Sequence, residues 1–181
     1  MSVKTYFAPA ERASDTELEQ AIESLSKNPV IDTVMNVVAG LVAVLNEHRQ
    51  ILAINDTLLK ALGVNDAEEV LGLRPGEAIN CVHANEQPGG CGTSQYCSTC
   101  GAAIAIVSSL ADDEPTLRTC VATVEREGER LDLHFQVRCC PITFKCQRFL
   151  LLFLQDTTIH QIQAALERAF FHDFNYTLGA L

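Results

Sequence analysis

What the sequence lacks narrows its function first. Its 181 residues carry 13 Lys and Arg against 23 Asp and Glu, a formal net charge of -10, with no basic cluster. An acidic chain without a basic stripe offers no electrostatic footprint for nucleic acid or an anionic membrane, so neither is expected as a partner. Long apolar runs are also missing. The longest, VVAGLVAVL (37–45) and FLLLFL (149–154), fall well short of the ~20 residues that span a bilayer. The opening stretch, MSVKTYFAPAERASD, has no apolar core of a secretory signal. There is no internal repeat and no low-complexity tract. The expectation is a soluble, cytoplasmic protein. With 48% hydrophobic residues it can bury the core of one domain with attached helices.

Cysteine, by contrast, is abundant. The chain has 8. The cytosol keeps thiols reduced and a core of this size needs no covalent staples, so a disulfide framework is not expected; clustered thiols there point to metal or redox chemistry. Cys81, Cys91, Cys97 and Cys100 fall in one stretch, CVHANEQPGGCGTSQYCSTC, spaced C-x9-C-x5-C-x2-C. A C-x-x-C turn presents two sulfurs to the same side, and glycines 89, 90, 92 and 101 let the backbone wrap an ion. Cys100 stands just before a helical pattern, whose N-terminal dipole favours a thiolate. These four are the candidate ligands. His83 is a fifth candidate, an outer hydrogen-bond donor to the ligands, or a solvated loop histidine. Structural zinc usually uses two paired C-x-x-C knuckles, and only one is present. Iron–sulfur clusters accept irregularly spaced loops of four cysteines, so a cluster is favoured, with zinc the alternative. Haem is disfavoured, because no histidine is well placed on the long helix. A Cys97–Cys100 disulfide is the thiol-only alternative. Cys120 and Cys139 read as small core residues, and Cys140 and Cys146 as hairpin flanks.

Residues 14–28 read as a helix capped by Ser14 or Asp15 and ended by Asn28-Pro29, with Leu18, Ile22 and Leu25 on one face. Ile31 to Val38 reads as a short helix or a lead-in. GLVAVLN and ILAIN read as two strands around the polar turn EHRQ. Asn55-Asp56 caps the helix TLLKALGV, and Asp66 opens another short one. AAIAIVSSLAD after Cys100 reads as a longer helix. Strands are expected at 117–127, 130–140 and 148–156. In the middle one Leu131, Leu133, Phe135, Val137 and Cys139 share one face. Pro141 to Gln147 supplies the following turn. Ile159, Ile162, Leu166 and Ala169 keep the spacing of a coiled-coil seam.

This order of elements over residues 30–157 resembles a PAS domain. ILAIND, VLGLRPGEAI and LQDTTIHQ are similar to three local passages of that family, the last coupling its final strand to an output helix. ERAFFHDFNYTLGAL is similar to the phosphoacceptor segment of bacterial histidine kinases of the His-Asp variety. His172 matches the phosphoacceptor and Asp173 its acidic neighbour; Tyr176 stands where that pattern usually has Asn. The resemblance implies an α+β, PAS-like five-stranded antiparallel sheet with flanking helices. It implies an N-terminal helical segment (1–30), a sensor domain (31–157) with a Cys-rich insertion (81–101), and a signalling helix running into a truncated phosphoacceptor segment (158–181). No ATP-binding motif follows, so this stretch is expected to be a sensory module unable to autophosphorylate alone. The implied partners are a second copy through the terminal helices, a kinase catalytic domain and a response regulator. The functional expectation is a redox, oxygen or metal sensor. Its rivals are a zinc-stapled PAS domain that binds a small molecule and a thiol reductase using Cys97 and Cys100. The second lacks the strand–helix context of thioredoxin-like motifs.

Overall fold

The computed structural model describes residues 4–178, with side chains described for residues 4–168. Helix α1 (Asp15–Ser26) starts in a capping box: the Ser14 amide donates to the Glu17 carboxylate at 2.9 Å and the Glu17 amide to Ser14 Oγ at 3.4 Å. Asn28 caps helix α2 (Pro29–Val37), with proline in the first turn, where no intrahelical donor is lost. Strands β1 (Leu41–Leu45) and β2 (Ile51–Ile54) form an antiparallel hairpin whose turn is closed by the Gln50 amide donating to Asn46 Oδ1 at 2.8 Å.

Asn55 does two jobs at once. Its Oδ1 accepts from the Leu58 amide at 3.0 Å, capping helix α3 (Asp56–Leu62), and from the Val42 amide at 3.1 Å. Its Nδ2 donates to the Gly40 carbonyl at 2.8 Å, so one buried amide fixes both the helix start and the entry to β1. Helix α4 (Pro75–Ala78) is a single turn, and helix α5 (Gly101–Asp112) follows the Cys-rich loop.

Strands β3 (Thr116–Arg126), β4 (Glu129–Phe144) and β5 (Gln147–Asp156) complete one antiparallel sheet in the order β2-β1-β5-β4-β3. β1 lies inside it, covered on both faces, which is why LVAVL runs apolar without alternation. α3 and α5 cover one face through Leu58, Ala105 and Ile106. α1 and α2 cover the β1–β2–β5 side of the other through Leu25 and Ile31 against Val44, Leu52 and Phe149. The last helix, α6 (Thr158–Leu178), leaves the end of β5. The expected α+β architecture, a five-stranded antiparallel sheet with flanking helices, is therefore present. No described helix is long and apolar enough to cross a membrane.

Two details differ from the sequence reading. β4 does not stop at Cys140 but runs through Pro141 to Phe144, and the turn is only Lys145-Cys146, both at positive φ (48° and 62°). β3 pairs with β4 no further than Cys139, so Pro141 sits where β4 is an edge on that side and needs no donor. The inward face of β4 holds from Phe135 to Cys139. Leu131, 44% exposed, lies in the part of the β3–β4 hairpin that projects past the core.

Candidate metal centre

The loop from Asn80 to Cys100 has little regular structure, so its shape comes from side chains and isolated bonds. The Val82 amide donates to the Thr123 carbonyl at 3.0 Å and the Glu125 amide to the Asn80 carbonyl at 3.1 Å, which ties the start of the loop to β3. The middle is gathered by Arg74. This side chain is 0% exposed and donates to five carbonyls: His48 at 3.1 Å, Gly89 at 2.7 Å, Cys91 at 3.1 Å, Ala10 at 3.2 Å and Glu11 at 2.8 Å. Burial lowers its pKa to about 10, still far above neutrality, so the guanidinium stays charged and satisfied. Glu77 holds the same region, accepting from the Cys91 amide at 3.0 Å and pairing with Arg12. The segment before α1 is laid along the loop, with the Tyr6 amide donating to Thr93 and the Ala8 amide to Gly92 at 3.0 and 2.9 Å.

Cys81, Cys91, Cys97 and Cys100 all line one cavity of about 190 Å³. Two close approaches shape it. A Cβ at Gly76 would meet Cys91 Sγ at 2.5 Å, and a Cβ at Gly101 would meet the Thr119 carbonyl oxygen at 1.8 Å. Only glycine lets α4 shelter Cys91 and lets the start of α5 rest against β3. The walls are apolar, from Ala102, Ala103 and Ile106 on α5 and Ala122 on β3. Among the described residues no three His, Cys, Asp or Glu side chains converge as a group that could hold a metal ion. The thiols stand around the space rather than at a point within it.

Burial in these walls raises three of the thiols. Cys91 is pushed up to about 12, and Cys81 and Cys97 also move up. Cys100 goes the other way, because a hydrogen bond from the Cys120 thiol and the Ala102 and Ala103 amides at the start of α5 favour its thiolate. Cys120 rises correspondingly, from that bond and from burial. His83 Nδ1 meets Glu86 at 2.7 Å, and the ring stacks on Tyr96 at 4.2 Å between centroids, which fixes the ring at the cavity wall.

Sequence reasoning missed three lining residues. Cys120 Sγ lies 3.7 Å from Cys100 Sγ, at the cavity and not merely in the core. Arg49 and Arg74 place two cations at the cavity of a chain with net charge -10. Arg49 is 6% exposed, and its Nε has no partner among the described residues. The inward parity of Cys120, Ala122 and Val124 was readable, but nothing local marks the strand as facing the loop. Cys139 is buried in the sheet, and Cys140 and Cys146 lie away from the cavity. His172 and Asp173 lie along α6, and their side chains are outside the described residues.

Five antiparallel strands in the order β2-β1-β5-β4-β3, with the small helices inserted between β2 and β3, are the arrangement of PAS domains. The fold is PAS-like. Solved structures similar to this chain include the PAS domain of an HTR-like protein from Haloarcula marismortui, 17% identical over 78% of this chain and 98% of that one, with a TM-score of 0.47. The PAS domain of nitrogen regulation protein NR(II) from Vibrio parahaemolyticus is 15% identical over 71% and 99%, at 0.49. A LOV protein of Rhodobacter sphaeroides is 9% identical over 80% and 69%, at 0.48. No protein-family model and no curated protein matches the sequence.

Proposed function

We propose that this chain is the sensory module of a two-component signalling protein, holding an iron–sulfur cluster on Cys81, Cys91, Cys97 and Cys100 and passing its state to α6. The observation that supports this reading is that four thiols, from a loop with almost no regular structure, all line one apolar-walled cavity. An iron–sulfur cluster accepts four cysteines at irregular spacing, as Cys81, Cys91, Cys97 and Cys100 have. Structural zinc usually takes two paired C-x-x-C knuckles, and only Cys97–Cys100 forms one. The charge balance agrees, since ligation turns thiols into thiolates and Arg49 and Arg74 supply compensating charge. When bound, the cluster supplies a centre sensitive to oxidation and to oxygen.

The chain's own residues provide the relay. Cys100 is the residue from which α5 starts, and α5 rests on β3 at Gly101. Cys120 on β3 pairs with Phe135 on β4. The preceding residue, His134, holds the start of α6: its amide donates to Thr158 Oγ1 at 2.9 Å, and its carbonyl accepts from the Thr157 amide at 2.8 Å. A shift of α5 at the thiols thus reaches the output helix through two adjacent strands. Such a relay needs two packings of α5. Ile159, Ile162 and Leu166 are exposed along α6, which supports pairing with a second copy. His172 and Asp173 then act as phosphoacceptor and assisting acid for a kinase catalytic domain, and a response regulator receives the phosphoryl group.

Purification without oxygen decides the cofactor. A brown protein containing iron and sulfide that bleaches in air is expected. A colourless chain with one zinc would overturn the cluster and leave the zinc-stapled reading, and a metal-free chain with a Cys97–Cys100 disulfide would overturn both. Phosphotransfer from a partner kinase domain that is lost in His172→Gln is the expected result for the output; unchanged transfer would remove that assignment.

A further inference from the structure

We infer that Cys100 and Cys120 close a disulfide when the cavity loses its cluster, making this pair the thiol switch of the domain in place of Cys97 and Cys100. The inference rests on the proposed function only in that cluster loss is what frees Cys100. The two sulfurs are 3.7 Å apart, the one thiol–thiol contact within hydrogen-bond reach among the described residues. Bonding at ~2.05 Å needs a small closing movement. The backbones are already pressed together beside the pair: a Cβ on Gly101 would sit 3.3 Å from Cys120 Cα. No comparable contact joins Cys97 to Cys100: among the described residues the Cys100–Cys120 pair is the thiol–thiol contact present.

With hydrogen peroxide as oxidant the chemistry balances. Cys100 thiolate attacks one peroxide oxygen; the S–O bond forms, the O–O bond breaks and hydroxide leaves, giving a sulfenic acid. The Cys120 sulfur then attacks the Cys100 sulfur. The S–S bond forms, the S–O bond breaks, and the departing hydroxide takes the Cys120 proton as water. Two electrons pass from the two sulfurs to peroxide. The product ties the start of α5 to β3 next to the strand position that holds α6, so cluster loss and disulfide closure act on the same relay.

Tryptic mapping tests this directly. No Lys or Arg lies between Arg74 and Arg118, so Cys81, Cys91, Cys97 and Cys100 share one fragment, while Cys120 falls on the next, Thr119–Arg126. The full chain is stripped of metal with a chelator under nitrogen, treated with peroxide, alkylated and digested. The expected result is a covalent link between those two fragments, assigned to Cys100 by tandem fragmentation, which disappears in Cys120→Ser. Before stripping, Cys120→Ser is expected to hold as much iron as wild type. A Cys97–Cys100 link, or no link, overturns the inference. Iron loss in Cys120→Ser overturns it too, by making Cys120 a ligand. If the purified chain carries no iron, the cluster reading fails by itself, while the mapping on the same metal-free chain still decides the pair.

Discussion

Arg74 donates to carbonyls of the β1–β2 turn, the Cys-rich loop and the segment before α1, and it is fully buried. Replacing it with methionine keeps much of the volume but leaves those buried oxygens without donors. Stability should fall by about 3 kcal/mol or more, read as a lower urea midpoint with unchanged slope. A loss below ~1 kcal/mol would show that water replaces the guanidinium. Gly76 is a different kind of residue, required for space. Gly76→Ala pushes a methyl against Cys91 Sγ, 2.5 Å away, and should cost about 1–3 kcal/mol of overpacking. Under the proposed function, iron content should drop below half of wild type, because the strain falls on a proposed ligand; unchanged iron would count against Cys91 as a ligand.

At the scale of elements, the corner between β5 and α6 is where the last helix is fixed to the sheet. Thr158 closes it twice. Its hydroxyl accepts from His134, and its amide donates to Asp156 Oδ1 at 2.8 Å. Thr158→Ala removes the first bond only. A loss of about 1 kcal/mol is expected there, so amides in the first turn of α6 and at His134 should exchange roughly fivefold faster, with the rest of the sheet unchanged. Uniform acceleration across the sheet would mean that the corner is not a separate unit. Under the proposed function, the same substitution should weaken the dependence of phosphotransfer on cluster oxidation, since α6 is held to β4 at this point.

For the molecule as a whole, buried thiols set the alkaline limit of the metal-free chain. Burial raises Cys139 from 9.0 to about 12, so the folded state keeps its proton where the unfolded state releases it. A folded pKa above the unfolded one gives stability that is fully present below pH ~9 and is lost as pH climbs toward 12. Urea midpoints should therefore decline from pH ~8 to ~10.5, and Cys139→Ala should show a shallower decline. A flat profile in wild type would show that these thiols ionise in place.

Much of this protein was legible residue by residue. Ser14 and Asn55 announce helix starts because a short polar side chain can satisfy the amides two or three residues ahead, whereas Asn28, read as the end of the first helix, proves to be the cap of the second. The apolar run of β1 and the parity of β4 announce strands, because burial alternates with the pleat wherever one face is covered. The end of β4 was not legible, since proline excludes a paired donor but not an edge, and whether a position is an edge depends on where β3 stops. The spacing of Cys81, Cys91, Cys97 and Cys100 marked the ligand candidates, because a C-x-x-C pair with two further thiols within twenty residues can place several sulfurs around one space. Their meeting at one cavity, the arrival of Cys120 beside Cys100, and the gathering of Arg49 and Arg74 against them were decided only in three dimensions. Each depends on strand pairings and helix packing between residues far apart in the chain, and no local pattern of residues encodes which distant surface it will face.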